Sequence, residues 1–196
     1  MVLLLRVLKL FMCFSGLIAL IIGSLTIILA ISMNPWFSLE RNALSDLGAI
    51  DILNNYVFNM GLMITSIFML IYSIYLILIL NNKIGIVGSS LLLLASIYLF
   101  LIGVFPEGTY PHEIISYEFF LLSAIAIMLM GISFLMISKI HGTLSIVLIV
   151  IGIVLAIIIP WPSIGALELM AIVIMGLWIL VMLHHHIKYM ILTKKR

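Results

Sequence analysis

Six long apolar runs, separated by five short polar breaks, account for almost the whole chain. They cover residues 11–32, 54–80, 84–104, 113–138, 143–160 and 166–187. About twenty residues of α-helix, at ~1.5 Å per residue, cross the roughly 30 Å of hydrocarbon in a bilayer. The pattern therefore predicts an all-α integral membrane bundle of six transmembrane helices, a single domain over residues 1–196. A β-barrel would need alternating polarity, and these runs are continuous. Two breaks are tight, Asn81-Asn82-Lys83 and Lys139-Ile140-His141-Gly142. The other three each set proline beside an aromatic: Asn34-Pro35-Trp36-Phe37, Phe105-Pro106-Glu107-Gly108 with Tyr110-Pro111, and Pro160-Trp161-Pro162.

Charge divides along the same breaks. Arg6, Lys9, Lys83, Lys139, Lys188, Lys194, Lys195 and Arg196 occupy the termini and the two tight turns. All seven acids (Glu40, Asp46, Asp51, Glu107, Glu113, Glu118 and Glu168) lie in or just inside the proline-bearing breaks. Arg41 alone breaks the pattern. Basic residues in short loops mark the cytoplasmic face, so a multi-pass protein of the cell membrane with both termini cytoplasmic is expected. The acids then form an outward-facing layer.

Composition narrows the class further. The chain is 66% apolar and 8% charged, whereas a soluble domain carries about 25% charged residues. A soluble protein is excluded. The net charge of +2 expresses the asymmetry of the two faces, so no nucleic-acid partner is expected. A single cysteine, Cys13, allows neither an internal disulfide nor a cysteine metal site. Arg6 and Lys9 precede the first run, and Ala30-Ile31-Ser32 resembles a signal-cleavage site. The run from Phe11 to Ile31 nonetheless exceeds the roughly 7–15 residues of a signal core. A retained transmembrane anchor is expected.

Residues 33–53 are the least lipid-like stretch. Ser38 suits a helix N-cap and Gly48 a left-handed helix end. Between them Leu39, Ala43, Leu44 and Leu47 share one face, and Arg41, Asn42, Ser45 and Asp46 the other. The spacing predicts a short amphipathic helix of about ten residues, with Arg41 near Ser45 and Asn42 near Asp46 as i,i+4 neighbours. The second polar island runs from Gly103 to Glu113. Pro111 and Glu113 suit a helix start. Glu118, one and a half turns deeper, needs a partner or a wet cavity, and Arg41 is expected to neutralise it or Asp46. His112 and Ser116 share a face with Phe119 and Phe120 below them.

Those two islands carry a resemblance. Asn42-Ala43-Leu44-Ser45-Asp46-Leu47-Gly48, with Gly103-Val104-Phe105-Pro106-Glu107, His112 and Phe119-Phe120, resembles the membrane family known as domain of unknown function 998. That family is similar in layout to the Frag/damage-regulated autophagy modulator group, which also shows a Ser-Asp-x-Gly loop and a histidine starting the fourth helix. The resemblance implies a six-helix fold and brings no activity with it.

Several chemistries can be weighed at the acidic layer. Ser45, Asp46 and His112, with Glu113 or Glu118, resemble positions of the ceramidase and adiponectin-receptor-like hydrolases, whose histidines and aspartate hold zinc. Catalytic zinc takes three protein ligands and a water, and this layer has one histidine and no His-x-x-x-His near the last helix. A metal-free Ser45/Asp46/His112 device is the alternative reading. His184-His185-His186 points its rings about 100° apart along a helix, so the three do not converge on one ion, and an interfacial cap is expected there, as for His141. No charge lies near the middle of any run, and Asn59, Ser66, Ser89, Ser90, Ser96, Ser123 and Ser133 suit helix packing better than an ion path.

The reading that results is a membrane protein, leaning away from enzymatic activity. Its outward-facing polar pocket binds a lipid head group, a small ligand or a partner subunit. Candidate ligand-binding residues are Arg41, Asn42, Ser45, Asp46, His112, Glu113 and Glu118, while Glu40, Asp51, Glu107 and Glu168 are read as solvated loop charges. Membrane lipids are the expected partners, with a membrane subunit or a second copy beside them, and no metal or cofactor is expected.

Overall fold

The structure is a computed structural model that describes residues 2–194, with side chains for residues 4–188. Lys195 and Arg196 lie outside the described residues. Six α-helices carry the chain: α1 (Val2–Met33), α2 (Asn55–Ile79), α3 (Lys83–Val104), α4 (His112–Leu135), α5 (Lys139–Ile158) and α6 (Ile164–Lys194). All six are long and apolar enough to cross a membrane, and no strand occurs among the described residues. Helices are what such sequences can form, because backbone groups in lipid must be satisfied within the segment.

Consecutive helices pack as neighbours, and α1 closes against α6, so the helices follow chain order around the bundle. All three proline-bearing connections consequently stand at one end, with the acids. The two tight turns stand at the other, with Arg6, Lys9, Lys83, Lys139 and Lys188. The helices overrun the apolar segments at both termini. Charged side chains end a hydrophobic run without ending a helix, so α1 includes Arg6 and Lys9, and α6 continues past Lys188.

The turn between α4 and α5 falls at Met136–Ser138, earlier than the expected 139–142. Gly142 explains the shift. A Cβ there would meet the backbone of Phe134 at 2.7 Å, so α5 is helical while still lying directly against the end of α4. The main core sits in the basic half, around Tyr72, Leu76, Ile127, Met130, Phe134, Trp178 and Met182. A second cluster at the acidic end joins Ile27, Ala30 and Phe58 to Leu44 and Leu47 of the first loop.

That loop departs from the ten-residue helix expected between Ser38 and Gly48. A turn at Ser38, whose carbonyl accepts from Arg41 N and Asn42 N, is followed by a 3-10 helix at Leu44–Gly48. Gly48 does not end it in a left-handed conformation; Gly108, at φ 93, is the positive-φ glycine among the described residues. Gly48 is needed for close approach instead, because an added Cβ would collide with Asn59 and Phe58 of α2. Leu44 and Leu47 are buried, so the segment is sunk between helices and does not lie along the surface.

Candidate functional site

The first loop is the keystone of the acidic end. Its Ile50 N donates to Glu107 O of the second loop at 3.1 Å. From the third connection, Ser163 Oγ donates to Leu39 O at 2.6 Å and Gly165 N to Asn42 O at 3.2 Å. The Asn59 side chain of α2 donates to Gly48 O at 2.9 Å, which makes this intramembrane amide a packing group. Within the loop, Asp46 accepts from Ala43 N at 3.0 Å and from the Asn42 amide at 3.2 Å, realising the expected Asn42–Asp46 pair.

Beneath this cap a cavity of about 500 Å³ runs between α4, α5 and α6. Its polar lining is Ser45, Asp46, Glu107, His112, Glu113, Ser116 and Glu168. The remainder is largely apolar, with Phe120, Ile127, Ile149, Met170, Ile174 and Met175 continuing it along the helices. At its far end Ser123, Ile127 and Met175 also line a smaller cavity of about 110 Å³ in the middle of the bundle. Ser123 is about 16 Å along α4 from His112 at the usual helical rise. The arrangement has a polar mouth and an apolar shaft.

His112 is buried and fixed at the mouth. Its Nδ1 donates to Phe105 O at 2.7 Å, since a carbonyl can only accept. Its Nε2 lies 3.1 Å from Glu107 Oε2 and 3.3 Å from Ser116 Oγ. Glu168, on the first turns of α6, accepts from Leu44 N at 2.7 Å and so ties α6 to the 3-10 helix. Gly165 lets that contact form: a Cβ there would collide with Asn42 O and come within 3.1 Å of Leu44 N.

Of the seven residues expected to bind ligand, Ser45, Asp46, His112 and Glu113 line the cavity. Asn42 stands behind Asp46 as its hydrogen-bond donor. Arg41 is exposed and forms no ion pair with Asp46 or Glu118 among the described residues, which corrects its expected neutralising role. The turn at Ser38 sends its side chain outward, where solvent screens it. Glu118 is half-buried and outside the cavity lining. Two acids read as solvated loop charges belong to the site instead, Glu107 through His112 and Glu168 through Leu44. The Glu168 pairing is not visible locally, since it meets a residue 124 positions away, whereas Glu107 and His112 are close neighbours in sequence at the second connection.

No hydrogen bond joins Ser45 to His112, or His112 to Asp46, among the described residues; His112 is committed to Phe105, Glu107 and Ser116. The expected hydrolytic alternative therefore has its residues in one cavity without the connectivity of a relay.

A second cluster appears at the basic end. His141, buried near the start of α5, has Nδ1 2.7 Å from Ser138 Oγ and Nε2 3.0 Å from His184 Nδ1. His185 packs edge-on against both His141 and Phe134, and His186 against Tyr75. An antiparallel α5–α6 hairpin brings residues at the start of one helix beside those near the end of the next. That geometry was the available signal for a contact that local helical spacing misses. Among the described residues no three metal-ligating side chains converge.

Six apolar helices joined in one bundle, with a polar cap tied across all three connections at one end, define a multi-pass membrane protein. Residues 17–185 match the model of the family described as Protein of unknown function (DUF998), and the chain belongs to that family. Neither the curated proteins nor the solved structures include a match.

Proposed function

We propose that the acidic end is an outward-facing binding site for an amphiphilic ligand, a membrane lipid or a small lipid-like molecule. One observation carries this reading: the cavity of about 500 Å³ has hydrogen-bonding groups at its mouth and apolar side chains along its length. Ligand sites of about 300–1,000 Å³ typically combine a mostly apolar lining with a few placed polar groups. A lipid matches that division, head at the cap and tail between helices. Native mass spectrometry of the purified protein in mild detergent tests it. Ala171, in the lining on α6, is small. Wild type should retain lipid that Ala171→Phe loses; equal retention by both proteins would overturn the reading.

A further inference from the structure

Resting on that reading, the charge of the lining defines the class of head group. Four carboxylates line the cavity (Asp46, Glu107, Glu113 and Glu168), and among the described residues no lysine or arginine does. The one cationic candidate, His112, is already matched by Glu107 at 3.1 Å. Arg41, the single base at this end of the bundle, is exposed and outside the lining. A head of net negative charge, with no cationic group of its own beside its phosphate, sulfate or carboxylate, would meet like charge with nothing in the lining to neutralise it.

A second observation is independent of the acids. Ser45 lines the mouth at 9% exposure, and its hydroxyl has no hydrogen-bond partner among the described residues. Several other buried hydroxyls are tied to the preceding helical turn, as with Thr65 to Gly61 O and Ser96 to Leu92 O, although Ser133 Oγ is not. Lining the cavity without a partner, the Ser45 hydroxyl has an acceptor lone pair to offer an N–H donor there. Tyr117 and Phe120 add aromatic surface of the kind that attracts ammonium groups.

We infer that the cavity selects amphiphiles whose head carries a protonated amine. Two sources share that chemistry, an amine-headed membrane lipid and a free long-chain amine. The full chain in nanodiscs holding equal amounts of phosphatidylethanolamine and phosphatidylglycerol, read by native mass spectrometry, separates them. A charge-assisted hydrogen bond in a shielded site corresponds to a preference of roughly tenfold. Wild type is expected to keep phosphatidylethanolamine over phosphatidylglycerol by about that factor, and Asp46→Asn with Glu168→Gln to lose the preference; both replacements retain acceptors for the loop hydrogen bonds. If wild type shows no lipid preference but binds dodecylamine saturably and not dodecyl sulfate, the inference holds with the free amine as source. Lipid retained without regard to head charge together with no discrimination between dodecylamine and dodecyl sulfate, or phosphatidylglycerol preferred, overturns the inference and leaves the cavity reading standing. Absence of bound lipid and amine from wild type and Ala171→Phe alike overturns both.

Discussion

Glu168 and Arg41 show how differently two charged side chains at one end of a bundle can matter. Glu168 Oε2 takes the Leu44 N–H at 2.7 Å, where the loop is sunk between helices. Glu168→Leu would leave that donor without a partner at a cost of about 1–3 kcal/mol, read as a lower Tm in detergent. Glu168→Gln keeps an acceptor and should lose much less, and equal melting of wild type and the leucine variant would disprove the tie. Arg41→Ala, by contrast, removes an exposed side chain without an ion pair among the described residues. Its melting should stay within about 0.5 kcal/mol of wild type; a larger loss would reveal a partner for the guanidinium. Ser45, Asp46 and His112 were legible in the sequence because polar residues beside long apolar runs must be accommodated somewhere. The partner of Glu168 was not, since that pairing depends on how the first and third connections fold over one another, and the Glu107–His112 contact depends on the turn that the second connection makes over five residues. Arg41 was misjudged because being the single base among seven acids suggested a partner across the bundle, Asp46 or Glu118, whereas its side chain stands exposed without an ion pair among the described residues.

At the scale of elements, apolar length predicted all six helices, because lipid leaves few alternatives for a continuous hydrophobic run. The first loop was harder. Its i,i+4 pattern describes a helix, yet burial of Leu44 and Leu47 and the fit against α2 and α6 reduce that helix to a 3-10 turn. Gly165 is the position on which this seating depends. In Gly165→Val the added carbons would collide with Asn42 O, pushing the loop off α6 and losing the Gly165–Asn42 and Leu44–Glu168 hydrogen bonds together. Overpacking of that kind costs about 1–3 kcal/mol. Faster tryptic cleavage after the exposed Arg41 should report the loosened loop. Gly152→Ala makes a suitable control, since its Cβ would meet Ile174 at an ordinary 3.4 Å. If both variants are cleaved at the wild-type rate, the loop is held by something other than its contact with α6.

For the molecule as a whole, the segregation of charge is a statement about orientation that the bundle makes testable. Six antiparallel helices put every acid at one end, while the basic residues of α1, α6 and both tight turns share the other. Short loops rich in lysine and arginine stay cytoplasmic, and acids contribute little to that preference. Arg41 is one base against the several at the opposite end, too few to reverse it. The expected orientation would therefore place the proposed amphiphile site toward the outside, open to a ligand from the outer leaflet or from solvent. Single cysteines on a Cys13→Ser background report the sidedness directly. Leu53, 91% exposed in the first connection, and Lys83, exposed at the start of α3, stand at opposite ends. A membrane-impermeant maleimide should label Leu53→Cys in intact cells and Lys83→Cys only after permeabilisation. The reverse pattern would turn the bundle over and bring the cavity to the cytoplasmic side, with its ligand drawn from the inner leaflet.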